Sequence, residues 1–114
     1  MASAFDEKCW AVCRRVPRGA VTTYGAIAEA LGSPGAARAV GGAMSRNPDA
    51  PVTPCHRIVA ATGVLTGYSG GDGVATKAAM LRAEGVPLRG DRIDMRRAHV
   101  LDSGALEESA APSV

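Results

Sequence analysis

A cysteine, a histidine and an arginine stand in a row at Cys55-His56-Arg57, inside a run from Thr53 to Val59 that reads Thr-Pro-Cys-His-Arg-Ile-Val. The thiol is the candidate actor. Its thiolate is the reactive form, and a free cysteine with a pKa of about 8.5 is only slightly ionised at neutral pH unless its surroundings help. Pro54 fixes the backbone before the trio, and the β-branched pair Ile58-Val59 continues it as a strand. In an extended chain adjacent side chains point to opposite faces, so His56 is expected to reach the Cys55 sulfur only through a bridging water. A buried carboxylate from elsewhere would then hold the imidazole's tautomer and stabilise its positive form. The bland alternative is a small core hydrophobe beside a satisfied surface histidine. The surrounding segments decide between the two.

Those segments must position the trio, and their spacing is legible. Phe5, Cys9, Val12, Cys13 and Val16 recur at helical intervals behind a capping Ser3, with Asp6 and Glu7 in the first turn, so the chain opens on an amphipathic helix that stops at Pro17-Arg18-Gly19. Thr23 caps a second short helix, about Tyr24 to Leu31, closed by Gly32. Ser33-Pro34 predicts the start of a third, from Pro34 to about Met44. Two short helices joined by a tight glycine turn form the pattern of a helix-turn-helix. The third helix is built from Gly35, Ala36, Ala37, Ala39, Gly41, Gly42 and Ala43, with Arg38 as its one charge before Arg46. It reads either as a surface that docks in a DNA groove by shape, with Arg38 wedging into the base stack, or as a packed helix whose small residues admit a neighbour.

Asn47-Pro48-Asp49 marks a turn, and Pro51 with Pro54 brackets an extended run into the cysteine. Ala61-Thr62-Gly63 reads as a hairpin turn. The loop Gly67-Tyr68-Ser69-Gly70-Gly71 is not followed by a P-loop lysine pattern, and offers instead a ring and a hydroxyl as a wall for a planar ligand. A fourth helix, about Val74 to Ala83, ends at Glu84-Gly85. Val86 to Met95 is expected to give one short strand or turn, bent at Arg89-Gly90-Asp91. Arg92, Arg96 and Arg97 read as a solvated basic face. From Asp102 the chain is rich in Ser, Ala, Glu and Gly, and a disordered tail over 102–114 is expected.

The chain has 114 residues, 46% of them hydrophobic but only four aromatic, which fits one domain over 1–101 with a modest core. Its net charge of +2 is too mild to point to nucleic acid by itself. Three cysteines, Cys9, Cys13 and Cys55, leave one unpaired in any disulfide scheme, and no signal peptide or long apolar run is present. A cytoplasmic protein with reduced thiols and no membrane contact is expected. Cys9 and Cys13 lie four apart on the first helix with no second ligand pair at zinc-finger spacing, so they read as core packing. No metal and no cofactor are expected.

With these residues in view, the chain resembles the DNA-binding and active-site domain of the O6-alkylguanine-DNA alkyltransferases from about Phe5 to about Gly85. The motifs are Thr22 to Gly25 (Thr-Thr-Tyr-Gly), Ala36 to Met44 (Ala-Ala-Arg-Ala-Val-Gly-Gly-Ala-Met), Asn47-Pro48, Pro54 to Arg57 (Pro-Cys-His-Arg), Tyr68 to Gly71 (Tyr-Ser-Gly-Gly) and Glu84-Gly85. The resemblance implies a mainly α fold with a small β-hairpin, a winged helix-turn-helix-like active-site domain. It implies that Cys55 accepts the alkyl group from O6 of a flipped guanine, that His56 is its base through a water, and that Glu84 is the carboxylate behind it. Asn47 would order the active-site turn, and Tyr24 would help rotate the nucleotide and donate to the ring. Arg38 would fill the gap in the stack, with Thr23, Ala36, Ala37, Ala39, Gly41 and Gly42 against the DNA. Tyr68, Ser69, Val59 and Arg57 would form the lesion pocket.

The implied partner is double-stranded DNA containing O6-alkylguanine, bound by a monomer, with other repair proteins as further candidate partners. Typical members carry an additional N-terminal domain that is not seen here. The stretch Ala83 to Arg97 resembles the ending of the short alkyltransferase-like proteins, which recognise alkylated guanine without an acceptor cysteine. Four readings therefore stand: a single-turnover repair protein, a lesion-binding protein that flags damage for another pathway, a helix-turn-helix regulator with a redox-sensing thiol, and a cysteine hydrolase.

Overall fold

The structure is a computed structural model and describes residues 3–65 and 73–110, without the side chains of 108–110. The first helix, α1 (Ala4–Cys13), starts where Ser3 Oγ accepts the Asp6 amide at 3.0 Å. It buries Cys9, Trp10, Val12 and Cys13. Two polar ties fasten it to the third helix region: Trp10 Nε1 donates to the Ala43 carbonyl at 2.8 Å, and Arg46 forks onto the Asp6 carboxylate with both N···O distances at 2.8 Å. A bidentate guanidinium is the geometry that satisfies a carboxylate withdrawn from water.

Strand β1 (Ala20–Thr23) runs directly into α2 (Tyr24–Ala30). Thr23 ends the strand and caps the helix, its hydroxyl accepting the Ala26 amide at 3.0 Å. This double duty fixes Tyr24 at the first helical position. The helix closes in a Schellman turn, in which Ser33 N–H reaches the Ala28 carbonyl, Gly32 N–H reaches that of Glu29, and Gly32 takes φ +78°. Helix α3 (Ala37–Ser45) then begins later than the proline signal predicts. Ser33 to Ala36 is spent on a turn closed by Ala36 N–H to the Ser33 carbonyl, so Pro34 lies outside the helix and Ala36, not Ser33, stands at its N-cap.

The residues Cys55–Arg57 form a 3₁₀ turn, followed by β2 (Ile58–Val59), α4 (Val74–Ala83), β3 (Leu88–Arg89), β4 (Arg92–Ile93), β5 (His99–Leu101) and α5 (Ser103–Ala110). Strands β3 and β4 make the small antiparallel hairpin, turning at Gly90 with φ +67°. A second sheet was not foreseen: β2, β1 and β5 lie side by side, all parallel, with β1 in the middle. Parallel neighbours require crossovers, and here α2 with α3 spans the first and α4 with the hairpin spans the second. The register pairs Thr22 with Ile58 on one side and with Leu101 on the other. Two apolar clusters result. One gathers α1, α2 and α3 around Ile27, Val40, Met44 and Ile58; the other packs Val21, Val59, Leu65, Leu81, Val86 and Ile93 beneath the hairpin.

The expected disordered tail is replaced, over 103–110, by a helix. Asp102 caps it, its Oδ1 accepting the Ala105 amide at 2.8 Å, and Leu106 is fully buried against the first cluster. One leucine placed four residues after a cap is enough to dock a short helix on α2, which a composition average over the segment cannot register. Leu106→Ala is expected to lower unfolding free energy by about 2–5 kcal/mol. Exposed Glu107→Ala should change it by less than about 0.5 kcal/mol, both read by urea denaturation.

Candidate active site

The turn that presents Cys55 is held from below by its own loop. Asn47 bridges the two sides of that loop: its Nδ2 donates to the Thr53 carbonyl at 2.8 Å, while its Oδ1 accepts the Asp49 amide at 2.9 Å. Thr53 N–H returns to the Asp49 carbonyl, and Arg14 from the end of α1 donates to the Thr53 hydroxyl at 2.9 Å. The backbone then tightens. Pro54 sits at φ −82°, ψ +65°, and the Cys55 amide donates to the Thr53 carbonyl at 2.8 Å, an inverse γ-turn. The 3₁₀ turn follows at once, so the extended geometry expected for Cys55 and His56 does not form. Proline's fixed φ is shared by extended and turn conformations, and the loop bonds select the turn.

His56 is buried and its two ring nitrogens differ. Nε2 lies 2.9 Å from Glu84 Oε2, and Nδ1 is buried without a hydrogen-bond partner among the described residues. Glu84, just past the end of α4, is also gripped by Arg57, whose Nε and Nη2 donate to its two oxygens at 2.9 and 2.8 Å. The third Arg57 donor, Nη1, reaches the Val16 carbonyl at 2.8 Å. Burial pushes the Glu84 carboxyl up, but the hydrogen bonds from Arg57 and His56 outweigh it and hold the group down at about 2. An ionised Glu84 fixes the tautomer: Nε2 carries the proton and donates, leaving a lone pair on Nδ1. Burial, against the pull of Glu84 and with help from Arg57 and Lys77, keeps the imidazole pKa below its ordinary value. The ring is neutral at neutral pH, the form that accepts a proton.

The side chains expected on the DNA side lie on α2 and α3. Arg38 and Ala39 are exposed; Thr23, Tyr24, Ala36, Ala37, Gly41 and Gly42 are half-buried; Val40, Ala43 and Met44 face inward. A Cβ added at Gly41 would lie 3.9 Å from the Tyr24 ring, so the bare glycine lets the ring and the helix approach. Both readings of the small-residue helix thus apply, to opposite faces. Of the expected pocket walls, Val59 is fully buried in the second cluster and Arg57 is committed to Glu84. Tyr68 and Ser69 lie outside the described residues. A cavity of about 350 Å³ lined by Arg18, Pro51, His56, Arg57, Met80, Ala83 and Glu84 opens on the carboxylate side of the imidazole, and its lining does not include Cys55.

Three participants escaped the sequence reading. Arg14 and Thr53 brace the loop, and Lys77 on α4 is 1% exposed, its Nζ donating to the Ile58 carbonyl at 2.6 Å. Lys77, Leu81 and Glu84 are spaced i, i+4, i+7, the spacing of one helix face, which would have pointed Lys77 inward with the glutamate.

The two acid-side groups act on stability with the same sign. Glu84 has a folded pKa of about 2 against an ordinary 4.5, so its contribution is present above pH 4.5 and lost as pH falls towards 2. His56, lowered from 6.5, binds its proton more readily when unfolded, so stability also falls as pH drops below 6.5. Urea midpoints measured between pH 7 and pH 3 should decline in two stages, and Glu84→Gln should flatten the stage below pH 4.5.

Comparison with known proteins places this arrangement. The model of the 6-O-methylguanine DNA methyltransferase DNA-binding domain matches residues 4–86. The methylated-DNA--protein-cysteine methyltransferase of Shigella flexneri is 49% identical over 81 residues, covering 71% of this chain and 46% of that protein. Its counterpart in Mycolicibacterium paratuberculosis is 52% identical over 69 residues, covering 60% and 42%. The chain spans about half the length of these relatives. Among solved structures, Mycobacterium tuberculosis OGT in complex with DNA matches with a TM-score of 0.70 and 44% identity, covering 74% of this chain and 51% of that one. S. pombe Atl1, solved with damaged DNA containing O6-carboxymethylguanine, matches with a TM-score of 0.73 and 27% identity, covering 87% and 97%. A matched segment that holds the helix pair, the Cys55 turn and Glu84 together makes this chain a member of the 6-O-methylguanine DNA methyltransferase family.

Proposed function

We propose that the chain repairs alkylated DNA by transferring the alkyl group from O6 of a guanine to the sulfur of Cys55. The observation that carries this reading is the imidazole of His56, neutral, backed by an ionised Glu84 on Nε2, and offering a buried lone pair on Nδ1 next to the cysteine. A water between Nδ1 and the sulfur would carry the thiol proton to the ring. The thiolate then attacks the alkyl carbon, the carbon–O6 bond breaks, and its electron pair passes into the guanine. Tyr24 would protonate the departing ring and Ser69 would donate to O6, stabilising charge where it develops. The product sulfur is a dialkyl thioether and no longer a nucleophile. One molecule therefore repairs one lesion.

The DNA side of this reading rests on the exposed part of α3. Small residues let the helix approach the duplex closely, and Arg38 would take the place of the everted nucleotide in the stack. Three free thiols suit a reducing compartment such as the cytoplasm, and none of the described helices is long and apolar enough to cross a membrane. A second reading is favoured by one observation: the Atl1 match covers more of this chain than the OGT match does. In that reading the same pocket binds the lesion without transfer and marks it for other proteins.

Intact-protein mass spectrometry after incubation with DNA containing O6-methylguanine separates the two. A gain of one methyl group on the peptide carrying Cys55, abolished by Cys55→Ala, is the expected result. Tight lesion binding with unchanged mass would move the assignment to recognition alone. Arg38→Ala should weaken binding of the lesion duplex by about 1–2 kcal/mol, seen as a several-fold rise in Kd by fluorescence anisotropy.

A further inference from the structure

Lys77 is the one lysine among the buried polar and charged residues described, and the mechanism above does not use it. An ammonium withdrawn from water is costly unless something repays its lost hydration. Its Nζ donates to the Ile58 carbonyl at 2.6 Å and lies 5.9 Å from the centre of the Tyr24 ring, at the outer range of a cation–π contact. Neither partner carries a full negative charge. Ile58 follows the Cys55–Arg57 turn directly, and Tyr24 opens α2, so this one side chain joins the cysteine turn to the start of the helix pair from beneath.

We propose that Lys77 is a positioning residue for alkyl transfer: its ammonium fixes the Cys55 turn against Tyr24 and is the counter-charge for the sulfur as it becomes anionic. The proposal rests on the alkyl-transfer reading for its biological purpose, and on geometry for its substance. The titratable groups around Lys77 are Cys55, Cys13, His56 and Tyr24. Burial brings the lysine down to about 8, while Cys55 and then Cys13 pull the other way, so the ammonium and a sulfur anion favour one another. Of the two sulfurs, Cys13 is pushed up to about 12, chiefly by burial, and stays a thiol. Cys55 is the remaining candidate. Lys77 also disfavours a positive His56. It therefore helps the sulfur end of the thiolate–imidazolium pair and opposes the imidazole end, which leaves Glu84 to stabilise the latter.

The test uses Lys77→Met, which keeps the length and removes the charge, and Lys77→Arg, which keeps the charge. Each variant is first shown to be folded by thermal unfolding. Two rates are then compared with wild type: reaction of Cys55 with iodoacetamide, in which the S–C bond forms and iodide leaves, and methyl transfer from O6-methylguanine DNA. Lys77→Met should slow both by about tenfold or more, the effect of one pKa unit, with lesion Kd little changed. Lys77→Arg should recover most of the iodoacetamide rate. Equal iodoacetamide rates in wild type and folded Lys77→Met would overturn the proposal.

If the variants do not fold, wild-type protein with ¹³C-labelled lysine gives the answer. Capping Cys55 with iodoacetamide removes the anion, so the Lys77 side-chain signal should titrate at lower pH after capping; an unmoved midpoint overturns the proposal. The iodoacetamide arm also separates this idea from the function. A charge-dependent rate with no methyl uptake by wild type would support Lys77's role while overturning transfer, and methyl uptake indifferent to Lys77→Met would do the reverse.

Discussion

The architecture depends on a single carboxylate shared by two cations-in-waiting. Glu84 receives Arg57 in a two-pronged grip and His56 on the oxygen that Arg57 Nη2 also contacts, and Arg57 in turn holds the Val16 carbonyl. Three places far apart in sequence, the end of α1, the cysteine turn and the end of α4, are thereby joined by directional bonds. Directionality matters because the apolar clusters alone would permit small rotations of the turn. Hydrogen bonds at 2.8–2.9 Å do not.

The same carboxylate also sorts the charges. With Arg57 neutralising it, Glu84 remains ionised without forcing a proton onto the imidazole, and burial does the rest. A histidine that faced Glu84 alone would be drawn towards its positive form. The guanidinium beside it and the buried ammonium of Lys77 tilt the balance back. A resting base and a strong acceptor of positive charge are compatible only because of this surplus of cations.

Much of this was legible in the residues. Ser3, Thr23 and Gly32 announced helix boundaries by their chemistry, and all three lie where they were expected. Pro34 misled, since a proline fits a turn as readily as a first helical turn, and the hydrogen bonds of Ser33 to Ala36 made the choice. Pro54 misled in the same way. Strand β5 is three residues long and gains its partner, β1, from about eighty positions earlier, a pairing that no local pattern encodes. The site was half visible. Cys55, His56, Asn47 and Glu84 could be named from type and motif, and the fold brings His56 to Glu84 and Asn47 to the base of the turn. Lys77 went unnoticed because a lysine is assigned to solvent unless its neighbours on the helix are considered with it.

Helix α5 lies beyond the stretch that the family model recognises, yet Leu101 and Leu106 complete the same apolar cluster that supports α2 and α3. The limit of homology is thus not the limit of cooperativity. A fragment cut at residue 86 would keep every recognisable motif and bare the underside of the helix pair, so any transplant of this module into another scaffold has to carry its unremarked last two dozen residues along.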